Sequence, residues 1–264
     1  MTATTIRQMN EHQVGGMLRD WRQRRRLSQL DLALDAGISS RHLSFVETGR
    51  SRPSPEMVLT LAQRLEVPLR ERNQLLLAAG YAPHYQERSL DEPELRPIRD
   101  AVGRLLSSHE PYPALAVDTG WNLVASNAAL DLLLEGVPDE LLVPPVNCMR
   151  LALHPDGLAP RILNLGEWRA HLLARLRREV ALRRDPRLDA LLAEVEGYPG
   201  DNGAISTGAE IMVTLRLRSS VGNLAFFSTV TTFGRPVDIT VAELSVEAFF
   251  PADETTAEAL RASA

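Results

Sequence analysis

Lysine is absent from this chain of 264 residues, and all 29 of its basic residues are arginine. A phosphate-cradling G-x-x-x-x-G-K loop is therefore excluded, and neither G-x-G-x-x-G nor G-x-S-x-G occurs. Cysteine is nearly as scarce. Cys148 stands alone, which rules out a disulfide framework and a thiolate metal cluster. With Arg150 as its one obvious basic neighbour, it reads as an inert core thiol, in preference to an oxidant sensor or a catalytic partner of His154. The six histidines show no H-x-x-x-H spacing, and His154-Pro-Asp-Gly reads as a turn before it reads as a metal site. No apolar run approaches the roughly 18 residues that cross a membrane. The N-terminus, with Arg7, Glu11 and His12, lacks a signal-peptide core. These absences lead to the expectation of a soluble, cytoplasmic, non-membrane protein with no enzymatic activity, no metal and no required cofactor.

Aromatic residues make up only 5% of the chain and are unevenly spread. Of the six Phe, four Tyr and three Trp, only Trp21 and Phe45 precede residue 81. Charge is uneven too. The first 80 residues carry 12 arginines against 8 acidic residues, a surplus of four; the remainder carries 17 against 26, a deficit of nine. The overall −5 describes neither part. A basic, aromatic-poor head on an acidic body implies two domains with different partners. The expected boundaries are a head at 1–80, a linker with an amphipathic helix at 81–112, and a body at 113–264.

The head reads as five short helices. Val14, Met17, Leu18 and Trp21 recur at helical spacing between Glu11 and Arg26, with Asn10 and Gln13 as a capping box. Ser28 and Asp31 form a second box ahead of a helix that Gly37 ends in the left-handed region. Ser39 caps the next helix, Ser40 to Glu47, and Thr48-Gly49 stops it. Ser54-Pro55 opens a fourth, with Pro at the first helical position. Pro68 opens a fifth, ending at Ala79-Gly80. Two short helices joined at a glycine and enclosed by neighbours make a helix-turn-helix.

The spacing Leu27-Ser28-Gln29, Leu32-Ala33, Ala36-Gly37-Ile38-Ser39, Leu43-Ser44, Glu47-x-Gly49 and Pro53-Ser54 resembles the Cro/C1 (XRE) repressors over residues 12–72. That resemblance implies double-stranded operator DNA as partner. Ser39, Ser40, Arg41 and Ser44 are the expected groove-facing residues, with Arg41 as guanine reader. Gln29, Arg50 and Arg52 are the expected phosphate contacts. Leu32, Ala33, Ile38, Leu43 and Val46 read as core. Glu47 reads as a structural partner for an arginine. Arg24-Arg25-Arg26 reads equally as a solvated face or a DNA contact.

In the stretch 81–112, Leu95, Ile98, Val102, Leu105 and Leu106 mark an amphipathic helix that caps the next domain or pairs subunits. Beyond it, Ala114 to Asp118, Thr119-Gly120 and Trp121 to Ala125 read as strand, turn, strand, with Asn127 capping a helix. This opening resembles PAS-type sensors. A long helix is expected over 162–183 and another around Leu188 to Val195. Three strands follow, with clean alternation from Ile211 to Arg218, a return from Leu224 to Thr232, and a third from Leu244 to Phe250. Short turns between them imply an antiparallel sheet and an α+β body.

Ala79-Gly80-Tyr81, Asp118-x-x-Trp121, Asn127, Asn147-x-x-Arg150, His154-Pro155, Trp168 and Phe226-Phe227 together resemble the MmyB-like transcription regulators across nearly the whole chain. The resemblance implies a multidomain protein: an all-α Cro/C1-type (lambda-repressor-like) head, then an α+β PAS-like domain holding a small apolar or fatty-acid-like molecule. Trp121, Trp168, Phe226, Phe227 and Phe233 are the candidate pocket walls, although they would fill a sheet face with or without a ligand. Asn127, Asn147 and Arg150 are candidate anchors for a polar head, although Asn127 also suits a helix cap. The expected assembly is a homodimer responding to a small-molecule effector. The alternative is a repressor or antitoxin whose body is a ligand-free dimerisation module.

Overall fold

The structure, a computed structural model, describes residues 3–183, 185–200 and 212–263, with side chains from residue 13 onward. Its contacts divide into two units: residues 1–89 with 235–242, and residues 90–234 with 243–264.

The first unit is helical: α1 (Ala3–Arg24), α2 (Gln29–Ala36), α3 (Ser40–Glu47), α4 (Pro55–Arg64) and α5 (Leu69–Ala78). The caps of α2, α3 and α4 form as the sequence predicts. Ser28 Oγ accepts from the Asp31 N–H at 3.1 Å while the Asp31 carboxylate accepts from the Ser28 N–H at 3.1 Å. Ser39 and Ser54 accept from the N–H groups of His42 and Met57, and Gly37 ends α2 at φ 69°. The expected Asn10 cap is corrected: α1 already begins at Ala3, and no Gly or Pro interrupts residues 3–14, so Asn10 lies inside the helix. Val14, Leu18, Leu32, Leu43, Val46 and Leu61 are buried in one core. Gly15 allows α1 to approach α3: a Cβ there would lie 2.3 Å from the Val46 carbonyl oxygen.

The second unit begins with α6 (Arg96–Ser107), then β1 (Ala114–Val117), β2 (Leu123–Ser126), α7 (Asp131–Leu134), α8 (Cys148–Leu153), α9 (Leu165–Arg183) and α10 (Pro186–Glu196). β3 (Leu215–Ser219) and β4 (Gly222–Thr232) follow; α11 (Ile239–Ala242) belongs to the first unit; β5 (Ser245–Pro251) and α12 (Glu254–Ser263) complete the second. The expected start of β3 at Ile211 lies outside the described residues. The strands form one antiparallel sheet in the order β2-β1-β5-β4-β3. The chain is thus a multidomain protein, an all-α helix-turn-helix head and an α+β domain.

Both sheet faces are covered, and alternation decides which residue meets which layer. Leu115, Val117 and Phe249 join the main core with Trp168 and Leu172 of α9 and Leu191 of α10. Ala114, Ala116 and Val246 face the other way, against Val102 and Leu106 of α6. The amphipathic helix expected inside the linker therefore packs on a sheet. The residues before it behave differently. In the first unit, Asn73 Oδ1 accepts from the N–H groups of His84 and Tyr85. Arg88 there pairs with Asp238 at 3.0 Å. Among the described residues, no helix is long and apolar enough to cross a membrane.

Candidate functional site

In the first unit, the short α3 presents its start outward. Ser39, Ser40 and Arg41 are exposed and Ser44 is half-buried. The Arg41 guanidinium lies 5.3 Å over the Phe45 ring, and no carboxylate pairs with it among the described residues. Arg50 is exposed just beyond the C-terminal end of α3, its N–H bonded to the Phe45 carbonyl at 2.8 Å.

Other predicted contacts are held within the unit. Glu47, buried at the end of α3, receives Nε and Nη2 of Arg22 at 2.7 and 2.9 Å and Nε2 of Gln29 at 2.8 Å. Hydrogen bonding to Glu47 raises the Arg22 pKa above its usual value. Glu47 is the structural partner of an arginine, and the Gln29 amide is held with it. The Gln29 backbone N–H, in the first turn of α2, still suits a phosphate. Arg52 donates to the Ala79 carbonyl at 2.9 Å and lies 4.6 Å over Tyr81, so its guanidinium braces the end of the unit. Arg25 similarly donates to the carbonyls of Leu65 and Glu66.

In the second unit a cavity of about 80 Å³ lies between the sheet and the helices over it. Leu115, Val117 and Phe249 form its floor; Leu133, Met149 and Leu172 close it from the helix side. Trp121 and Trp168 both line it. Trp121 reaches it from the β1–β2 turn with φ 65°, a left-handed conformation that costs a non-glycine residue roughly 1–2 kcal/mol. Two backbone bonds hold it there, Trp121 N–H to Asp118 at 3.1 Å and Cys148 N–H to Trp121 at 2.8 Å.

The wall is apolar except at Glu247 and Cys148. Glu247, on β5, is only 6% exposed. Its Oε1 accepts from Arg175 Nη1 at 3.0 Å and Ser228 Oγ at 2.7 Å. Arg175 in turn lies 4.7 Å over the Trp121 ring. His171 stacks on Trp168 at 5.4 Å, and burial, aided by Arg175, lowers its pKa, so the ring is neutral at neutral pH. Burial also pushes the Cys148 thiol up to about 12, with Glu247 and Asp118 adding to the effect.

The remaining predicted ligand residues are placed elsewhere. Phe226 is fully buried in the core. Phe227 stacks on Phe250 at 5.4 Å, and Phe233 packs with the α6 cluster, both on the opposite side of the sheet. Asn127 does not cap its helix through its side chain. Its Oδ1 accepts from the Ala114 N–H at 2.9 Å, and its Nδ2 donates to the Leu106 and Tyr112 carbonyls, pinning the start of β1. Asn147 caps α8 and donates to the Gly120 carbonyl at 2.7 Å. Arg150 forms a bidentate pair with Glu194 at 2.7 and 2.8 Å, which depresses the Glu194 pKa. His154 accepts the Asp156 N–H at Nδ1, as a turn residue does. Sequence reasoning missed Glu247 and Arg175. The signal was present: in Ser245-Val-Glu-Ala-Phe249, the acid shares its side of the strand with Phe249.

Residues 18–72 match the helix-turn-helix family model, and residues 98–262 match the MmyB-like transcription regulator ligand binding domain. No curated protein matches the chain. Among solved structures, the clp gene regulator ClgR from Corynebacterium glutamicum is 20% identical, with 39% of this chain and 95% of that one covered and a TM-score of 0.24. An RNA-binding Light-Oxygen-Voltage receptor is 14% identical, with 100% of this chain and 68% of that one covered and a TM-score of 0.27. The match over residues 98–262 spans more than half of the chain, which therefore belongs to the MmyB-like transcription regulators, with a helix-turn-helix head of XRE type.

Proposed function

We propose that this regulator binds operator DNA as a homodimer and that a small apolar molecule with a fatty-acid-like chain, held in the cavity of the second unit, alters that binding. The observation that carries the reading is the start of α3. Ser40 and Arg41 are exposed there, and among the described residues no carboxylate pairs with Arg41, whereas Arg22, Arg25 and Arg52 are tied within the unit. A fork-shaped donor at the start of a short helix suits a guanine edge in the major groove. Two heads would take half-sites roughly 34 Å apart. The effector acts only if it binds the DNA-competent and DNA-incompetent arrangements unequally. The reading assigns no catalytic step to any residue.

Selection of bound sequences from a random DNA library, with and without the molecule that native mass spectrometry finds on the purified protein, tests this. A palindromic motif whose enrichment changes with the molecule is expected. A protein that carries no molecule and selects DNA identically under all conditions would make the second unit a dimerisation module.

A further inference from the structure

Among the described residues, the cavity has one ionised group in its wall, and its position bears on what the cavity accepts. Glu247 sits on β5, hydrogen-bonded between β1 and β4, so the backbone fixes the sheet face its side chain leaves from, and Arg175 and Ser228 hold its carboxylate. Arg175 and Ser228 both serve Oε1, at 3.0 and 2.7 Å. Oε2 receives only the long 3.4 Å contact from Arg175 Nη2. A carboxylate offers about four lone-pair sites, so Oε2 keeps acceptor capacity in a residue that lines a cavity whose wall is apolar apart from Glu247 and Cys148.

We propose that Glu247 selects the effector's polar end, and that this end is an uncharged O–H donor on an apolar chain, an alcohol in place of a carboxylate. The proposal rests on the cavity being the effector site. An ionised carboxylate brought to this wall would meet the negative charge of Glu247 in a medium that screens it poorly. Arg175 is not among the residues that line the cavity, so the incoming carboxylate would be buried against Glu247 without gaining the guanidinium as its counter-charge. An ammonium fares no better, because Arg175 already balances Glu247 and a second cation would be buried unpaired. A hydroxyl adds no charge and donates the one bond that Oε2 lacks.

Probes of similar length on the full-length protein separate these cases: 1-hexanol, its isomer methyl pentyl ether, hexane, hexylamine and hexanoate at pH 7.5, by calorimetry and by fluorescence of Trp121 and Trp168. Hexanol is expected to bind about tenfold tighter than the ether, the ordinary effect of one hydrogen bond to a charged group. Hexanoate and hexylamine are expected to bind more weakly than the ether. Glu247→Gln, which keeps an acceptor oxygen but removes the charge, should narrow the gap between hexanol and hexanoate; its melting curve shows whether it folds. The wild-type comparison stands without it. Hexanoate binding as tightly as hexanol, or ether equalling hexanol, overturns the proposal while leaving the cavity as the effector site. Failure of every probe, hexane included, overturns both.

Discussion

Removing the Glu47 carboxylate should unfold the head locally, and the structure gives the size of the effect. Its side chain is 1% exposed and accepts three hydrogen bonds, two from Arg22 and one from Gln29. Glu47→Ala leaves the Arg22 guanidinium, only 10% exposed, without a counter-charge. Breaking one side of a buried pair costs about 3–5 kcal/mol. A domain of this size has roughly 5–15 kcal/mol in all. Replacing both partners by Arg22→Met with Glu47→Leu removes the charges together, and should fall within about 2 kcal/mol of the wild type. Amide hydrogen exchange read by mass spectrometry suits the question, since it resolves each unit without assuming one unfolding transition. Peptides of α1 and α3 should lose protection by on the order of a hundred- to a thousandfold in Glu47→Ala, most of it restored in the double variant. If Glu47→Ala changes protection by less than about tenfold yet abolishes DNA selectivity, Glu47 reads bases and its structural assignment is wrong.

Arg41→Ala should weaken specific DNA binding by about 1–3 kcal/mol and relax selectivity at one base pair, as read by competition against single-base variants of the operator. Arg50→Ala should weaken all sequences alike and flatten the dependence of log K on log salt. Cys148, with its thiol pushed up to about 12, should react with iodoacetamide at pH 8 on the order of a thousandfold more slowly than an ordinary cysteine. Its rate should rise about tenfold per pH unit until the fold gives way, and a free-cysteine rate at pH 8 would contradict the burial. Asn127→Ala should cost about 2–4 kcal/mol in chemical denaturation, because three backbone groups, the Ala114 N–H and the Leu106 and Tyr112 carbonyls, lose their partner. Effector affinity of the folded fraction should stay unchanged, and a selective loss of affinity would return Asn127 to the ligand site.

The head was legible in the sequence because its signals are local. Ser28 with Asp31, Gly37, Ser39 and Ser54-Pro55 each act within one turn of chain, and each forms as written. Where local reasoning failed, the competing partner was distant or the period was ignored. Arg52 looked like a phosphate contact until the fold brought it the Ala79 carbonyl, 27 residues away. Arg150 met Glu194 across 44 residues. Phe226 and Phe227 could have been separated from the start, since adjacent strand residues face opposite sides. The same rule marks Glu247 as an acid aimed inward. Nothing local says that Arg175 is its partner; only the packing of α9 over the sheet determines that.

The return of residues 235–242 to the first unit has a consequence for synthesis. The head's helical core is complete in the chain by residue 80, and N-terminal domains generally fold first as a chain emerges. Yet Asp238, the partner of Arg88, and Ile239, whose N–H bonds to the Gln86 carbonyl at 2.8 Å, are made only after β1 to β4 have been translated. The earliest part of the protein to fold is thus among the last to be finished. A fragment ending at Ser89 would leave Arg88 without Asp238, while a fragment of residues 98–262 would carry α11 away from α5, the helix it packs with.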